Sequence, residues 1–327
     1  MLRSSVRYRF DEPLRLITRL AVWLVGVLML TVFVYREHVV HGQVSSPVFP
    51  PQRIVSMTLA GDEILLALIP TGRILGLTWL VDDPRYSHSV ETARQVRHKV
   101  SADAEQVIVL RPDLVIVSAS AYTGVTARSL LRASGIPLCE IARHESFAGV
   151  QRNILAVGRA VGTLPQARRL VANMDRRLRA VRERVARAPH PRTLYYFPGG
   201  FTAGYGTTLN EMISRAGGLN VAAEAGIHGV KQLSRETLIQ LNPAVILVGG
   251  ETGQEGTGSL RPALLADASL ATIDAIQQRR VYVVPGPSVS SLSHHIVNGV
   301  ERMARLLHPQ AFATVDSEAF QRHGQAH

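Results

Sequence analysis

The stretch Pro165-Gln-Ala-Arg-Arg-Leu-Val-Ala-Asn-Met-Asp-Arg-Arg-Leu-Arg-Ala-Val-Arg-Glu-Arg-Val-Ala-Arg-Ala188 decides how the rest of the chain is read. It carries no Gly or Pro between Pro165 and Pro189, and Leu170, Val171, Met174, Leu178, Val181 and Val185 recur on one stripe at helical spacing. Arg168, Arg169, Arg176, Arg177, Arg179, Arg182, Arg184 and Arg187 occupy the remaining faces. A helix of roughly 24 residues is a rod of about 36 Å, long enough to span two compact lobes. A shorter helix beginning near Ser146 precedes it, and Gly162 and Pro165 mark the break between the two.

The flanks of this rod repeat one phrase. Glu105-Gln-Val-Ile-Val-Leu110-Arg-Pro112-Asp-Leu-Val-Ile-Val117 stands before it, and Glu236-Thr-Leu-Ile-Gln-Leu241-Asn-Pro243-Ala-Val-Ile-Leu-Val248 after it. Glu, Leu and Pro keep their offsets. Each copy reads as a short helix, a proline that stops it, and an all-apolar run suited to a strand buried on both faces. The fold class expected is α/β, with two similar parallel-sheet lobes joined by a single long backbone helix. The expected divisions are a signal or anchor segment with linker (1–52), an N-terminal lobe (53–145), bridging helices (146–189), a C-terminal lobe (190–309) and a tail (310–327).

A chain of 327 residues is long enough for two cores of this kind. The lone cysteine, Cys139, excludes an internal disulfide and any CxxC metal site, and its apolar surroundings read as a buried strand. The formal charge of +11 raises nucleic-acid binding. The arginines, however, are spread along the leader and the polar face of the rod, with no lysine-rich run and no interleaved aromatics. A solvated helix face is the better reading, and no nucleic-acid partner is expected.

Arg3, Arg7, Arg9, Arg15 and Arg19 precede an uncharged apolar run from Leu20 to Tyr35. The run suits either a cleaved export signal or a short uncleaved anchor, with the basic side in the cytoplasm. Both place the remainder in the periplasm, free or held at the inner membrane. No cysteine is available for lipid attachment.

Within the lobes, strands and helices alternate, so ligands belong beyond the carboxyl ends of the strands. Strands are expected at Arg53–Met57, Arg73–Thr78, Leu114–Val117, Ile136–Ile141, Arg192–Phe197 and Arg280–Val284. A helix from Asp62 to Ile69 ends at Gly72, Ser101 caps the helix carrying Glu105, and Ser234 caps the one carrying Glu236. The rim of the first lobe then holds Ser56 to Thr58, Trp79 and Ser118 to Tyr122. The glycine-rich segment Gly199–Gly206 matches neither phosphate-binding pattern and reads as a loop giving room to Phe201 or Tyr205. Ser293 opens the last helix, whose apolar face is Ile296, Val297, Val300, Met303, Ala304 and Leu307. His294 and His295 are adjacent and do not share a helix face, which argues against a two-histidine metal site.

No nucleophile elbow, zinc motif, kinase or Walker signature is present. The adjacent carboxylates Asp62 and Glu63, and Asp82 and Asp83, are weak evidence for acid–base catalysis. Ligand capture is favoured over catalysis.

Arg53-Ile-Val-Ser-Met, the run Thr58 to Leu68, Gly76-Leu-Thr-Trp with Asp82-Asp-Pro84, and both Glu–Pro units resemble the substrate-binding proteins of ABC importers for iron complexes and vitamin B12. The likeness spans about Arg53 to Pro309. Where that family commonly has Ser-Pro-x-x-Thr-Glu, this chain has Thr58-Leu-Ala-Gly-Asp-Glu63. The resemblance implies a ferric siderophore, haem or corrinoid as ligand, and no cofactor apart from that ligand. It also implies an ABC permease and its ATPase as partners. Ligand contacts are expected at Trp79, Leu80, Ser118, Tyr122, Phe201 and Tyr205, and permease docking at Glu105 and Glu236. The alternatives are an enzyme or assembly protein holding a metal cofactor, and a membrane-tethered sensor.

Overall fold

In the computed structural model, which describes residues 50–119, 124–142, 146–250, 260–290 and 292–313, two parallel sheets are each built round a central strand pair. The first contains β1 (Ile54–Ser56), β2 (Ile74–Thr78), β3 (His98–Val100), β4 (Leu114–Ser118) and β5 (Leu138–Ile141), in the order β3-β2-β1-β4-β5. Helices α1 (Leu59–Leu68), α2 (Val90–Ala93), α3 (Ala104–Val109) and α4 (Val125–Ala133) connect them. The second sheet contains β6 (Arg192–Tyr196), β8 (Leu219–Asn220), β10 (Val245–Gly250) and β11 (Val281–Pro285), in the order β11-β10-β6-β8. A separate antiparallel ribbon pairs β7 (Phe201–Ala203) with β9 (Val230–Gln232).

The repeated phrase lands on equivalent places. Its strands, β4 and β10, each lie beside the first strand of their own sheet, with Ile54 opposite Leu114 and Thr193 opposite Val245. Its helices are α3 and α9 (Arg235–Leu241). The residue before each proline is left-handed, Arg111 with φ 51° and Asn242 with φ 35°. An arginine at the start of each first strand then satisfies the open carbonyls of these helix ends. Arg53 donates to the carbonyls of Leu110 and Arg111, and Arg192 donates to that of Leu241.

Between the sheets the chain runs through α5 (Phe147–Ala160) and α6 (Leu164–Val185). The Ser146 hydroxyl caps α5 by accepting from Gly149 N, and Gly162 turns the chain at φ 77°. The second helix folds back against the first, and a Cβ on Gly158 would sit 2.3 Å from that of Ala167. At 22 residues α6 is about 33 Å long. Its stripe of Ala167, Met174, Leu178, Val181 and Val185 is buried. It belongs to one apolar cluster that also takes in α1, α7 (Thr208–Arg215) and α13 (Ile296–Leu307). The rod therefore carries a core shared by both lobes.

Several local expectations are corrected. α1 begins at Leu59 and ends at Leu68, with Ile69 as its cap and Pro70 after it, so Gly72 does not end it. Asp103, and not Ser101, caps α3, because its carboxylate accepts from Glu105 N at 2.9 Å. Phe201 lies in β7 and not in a loop. Ser293 precedes α13 by three residues and does not open it, and His295 holds the cap position. Strands β3, β7, β8 and β9, of two or three residues each, are too short for a periodic pattern to show. Among the described residues no helix is long and apolar enough to cross a membrane, and the apolar run Leu20–Tyr35 lies outside them.

Candidate functional site

The carboxyl ends of the two sheets approach one another, as expected of ligand sites in open parallel sheets. A hollow of about 540 Å³ opens there. Pro84, Arg85, Ser87 and His88, from the loop after β2, form one wall. Gly250 and the run Pro285-Gly-Pro287, at the ends of β10 and β11, form the other. The walls touch at one edge, where a Cβ on Gly286 would sit 2.3 Å from the Arg85 carbonyl oxygen. Nearby, the Ser290 hydroxyl donates to the Tyr86 carbonyl at 3.1 Å.

Arg85 is forked onto Asp83 at 2.6–3.0 Å while its side chain stays 62% exposed. Hydrogen bonds from Arg85, first its side chain and then its backbone, hold the Asp83 carboxyl below the usual carboxylate range. The guanidinium lies at the mouth of the hollow with much of its side chain exposed.

Behind the hollow lies a buried polar network that joins the lobes. Glu63 on α1 is fully buried. Its Oε2 accepts from Ser293 Oγ at 2.7 Å across the lobe boundary. Its Oε1 accepts from His88 N at 3.0 Å and Ser87 Oγ at 3.3 Å. One carboxyl thus fixes the loop that walls the hollow and the segment that leads into α13. Beside it, Asp62 is buried as well, and its Oδ2 accepts from Thr78 N at 3.1 Å and Thr78 Oγ1 at 2.5 Å. Burial raises the Asp62 pKa well above the normal carboxylate value, against the lowering effect of the Thr78 bonds.

Three histidines converge at the same boundary. The ring of His295 is 3.9 Å from that of His294 and 5.0 Å from that of His88, and Ser89 Oγ lies 3.3 Å from His295 Nε2. Burial pushes His294 down to about 3, helped by positive charge from His295, Arg177 and His88. His88 and His295 are lowered too, in both cases chiefly by burial. The rings are tilted against one another, and among the described residues no group of three His, Cys, Asp or Glu is placed to hold a metal ion.

Of the residues singled out from sequence, Trp79 follows β2 and is 56% exposed, with Leu80 half-buried after it. Ser118 ends β4, half-buried, and its carbonyl accepts from Arg128 at 3.3 Å. Ser56 and Met57 are buried, and the Ser56 hydroxyl bonds the Thr58 carbonyl, so that part of the expected rim is closed. Tyr122 lies outside the described residues. Phe201 is 40% exposed on β7, and Tyr205 packs edge-on against His228 with its ring otherwise in solvent. Glu105 and Glu236 are both exposed in the first turns of α3 and α9. Glu236 is held below the usual carboxylate range by hydrogen bonds, first from its own backbone and then from Ser234. Sequence reading did not find Arg85, His88 and Gly286. They carry no periodic or motif signal, and their pairing depends on two loops about 200 residues apart.

Two α/β lobes on a common helical rod, with a hollow between facing strand ends, define a two-lobed ligand-binding protein. The chain belongs to the periplasmic binding protein family, whose profile matches residues 54–287. It is 27% identical over 269 residues to the uncharacterized ABC transporter substrate-binding lipoprotein YvrC of Bacillus subtilis, covering 80% of this chain and 82% of that one. A cobalamin-binding protein of Halobacterium salinarum is 27% identical over 269 residues, covering 79% of this chain and 70% of the relative. Among solved structures, the periplasmic heme-binding protein RhuT from Roseiflexus sp. RS-1 superposes with a TM-score of 0.69 at 28% identity, covering 80% of this chain and 99% of that one.

Proposed function

We propose that this protein captures a bulky metal complex, a ferric siderophore, haem or corrinoid, in the hollow between its lobes and delivers it to an ABC permease. The observation that carries this reading is the hollow itself, walled by the loop after β2 on one side and by the ends of β10 and β11 on the other. Trp79, Phe201 and Tyr205 do not line that hollow, but all three are exposed and offer apolar faces of the kind that pack on flat or ring-like ligands. Leu80, Ser118 and Tyr122 complete the proposed ligand contacts. Glu105 and Glu236, one on each copy of the repeat, dock onto a two-subunit permease, where two equivalent acidic contacts suit its symmetry. The ligand is cargo and not a resident cofactor, and the reading is of a binder in the periplasm, either free or held at the inner membrane by the leader. The relatives described above support it.

Titration calorimetry against haem, cobalamin and several ferric siderophores tests the ligand class. Binding of one of them, weakened by Trp79→Ala, is expected. Binding only of sugars, amino acids or bare metal ions would sink the proposal.

A further inference from the structure

The solvent face of α6 is strongly basic, and among the described residues no element packs over it. Of its arginines, Arg177 is tied to Glu301 and Asn298 on α13, and Arg184 lies over the Phe312 ring. Arg168, Arg169, Arg179 and Arg182 on the helix, and Arg187 just beyond its end, are exposed, and none makes an ion pair among the described residues. Glu183 is the one exposed acid on the helix, and Asp175 is half-buried with an oxygen taken by Gln151. Along the second half of the helix, a groove is lined by Arg179, Arg182 and His190, with Arg215 on its far side. Four exposed guanidiniums on the helix, with a fifth just past its end, are a poor way to stabilise it, since like charges one turn apart repel. They suit a surface of closely spaced phosphates.

We propose that the arginine face of α6 docks on an anionic phospholipid bilayer and holds the folded unit against the membrane.

The test uses the full chain in nanodiscs of phosphatidylcholine alone or mixed with phosphatidylglycerol. A fluorophore is placed at Ala172→Cys, on the exposed face of α6. Cys139 is buried in β5 and its thiol is pushed up to about 12, so it escapes labelling. Quenching by spin-labelled lipid is expected only with phosphatidylglycerol. It should fall at least about tenfold when salt shortens the screening length from roughly 10 Å to 3 Å, or when Arg168, Arg169, Arg179 and Arg182 are all changed to glutamine. A probe at Val109→Cys on α3, away from the rod, controls for mere tethering and should stay unquenched. Equal quenching in both lipids, equal quenching of both probes, or no effect of the glutamine changes in a protein of unchanged melting temperature overturns the proposal.

Discussion

Replacing Glu63 with alanine should loosen the joint between the lobes. The change removes the acceptor of at least three hydrogen bonds, from Ser293 Oγ at 2.7 Å, His88 N at 3.0 Å and Ser87 Oγ at 3.3 Å. Bonds to a charged group contribute about 1.5–3 kcal/mol each, and the longest of these is weak. The donors left behind are buried or half-buried, while loss of a buried carboxylate recovers part of its own desolvation cost. A net loss of about 3–4 kcal/mol is expected, or a fall in Tm on the order of 10 °C for a chain of this size. Ser293→Ala removes the donor to Glu63 and the acceptor of the His295 N bond at 3.2 Å, and should cost about 1–3 kcal/mol. The double variant should fall short of the sum of the two by about 1 kcal/mol or more, because they share that bond. Thermal melts followed by circular dichroism measure all three, and small-angle scattering of Glu63→Ala should show a wider spread of lobe positions. A cost below about 1 kcal/mol for Glu63→Ala, or strict additivity in the cycle, would refute the view that this carboxyl fastens the lobes.

Four further outcomes are expected. Gly286→Ala places a Cβ 2.3 Å from the Arg85 carbonyl and should cost about 1–3 kcal/mol by prising the walls of the hollow apart, which a lowered Tm would register. Acid should destabilise the fold through His294. The unfolded ring takes a proton near pH 6.5 and the folded one only near 3, so this stability is full above about 6.5 and is lost as pH falls towards 3, at about 1.4 kcal/mol per pH unit. His294→Gln should flatten that slope in denaturant titrations. Asp62 has the opposite sign: its raised pKa favours the fold at low pH and opposes it as pH rises through the folded value, so Asp62→Asn should lessen the loss on the alkaline side. Glu105→Ala and Glu236→Ala should leave ligand affinity intact and impair uptake, with the double variant worse than either, whereas a double variant with normal uptake would reduce these residues to helix starters.

The repeat around Pro112 and Pro243 was legible because both copies use the same local physics, a stopped helix and a strand buried on both faces. The part of it that reading missed is the arginine at the start of each sheet. Arg53 and Arg192 bond helix ends 57 and 49 residues away, a partnership no local pattern can announce. The glycine-rich segment misled for a related reason. Gly199 and Gly200 do turn the chain, with φ of 77° and 82°, but they do so to let Phe201 pair with Gln232 in a ribbon of three residues per strand. Asp62 and Glu63 read as an uninformative acidic pair; both are buried, and only their partners distinguish them, Thr78 in the same lobe for Asp62 and Ser293 across the boundary for Glu63.

The sequence by itself determined the architecture: two α/β lobes, the rod between them, the buried stripe of that rod and the strands at the centre of each sheet. These follow from hydrophobic period and from proline and glycine, which act over a few residues. Tertiary structure alone decided that the rod folds back on α5 and carries a core common to both lobes. It also decided that the loop after β2 meets the end of β11, and that Glu63 is the carboxyl joining them. The last two outcomes depend on groups that are 200 or more residues apart in sequence and come together only once both sheets have formed.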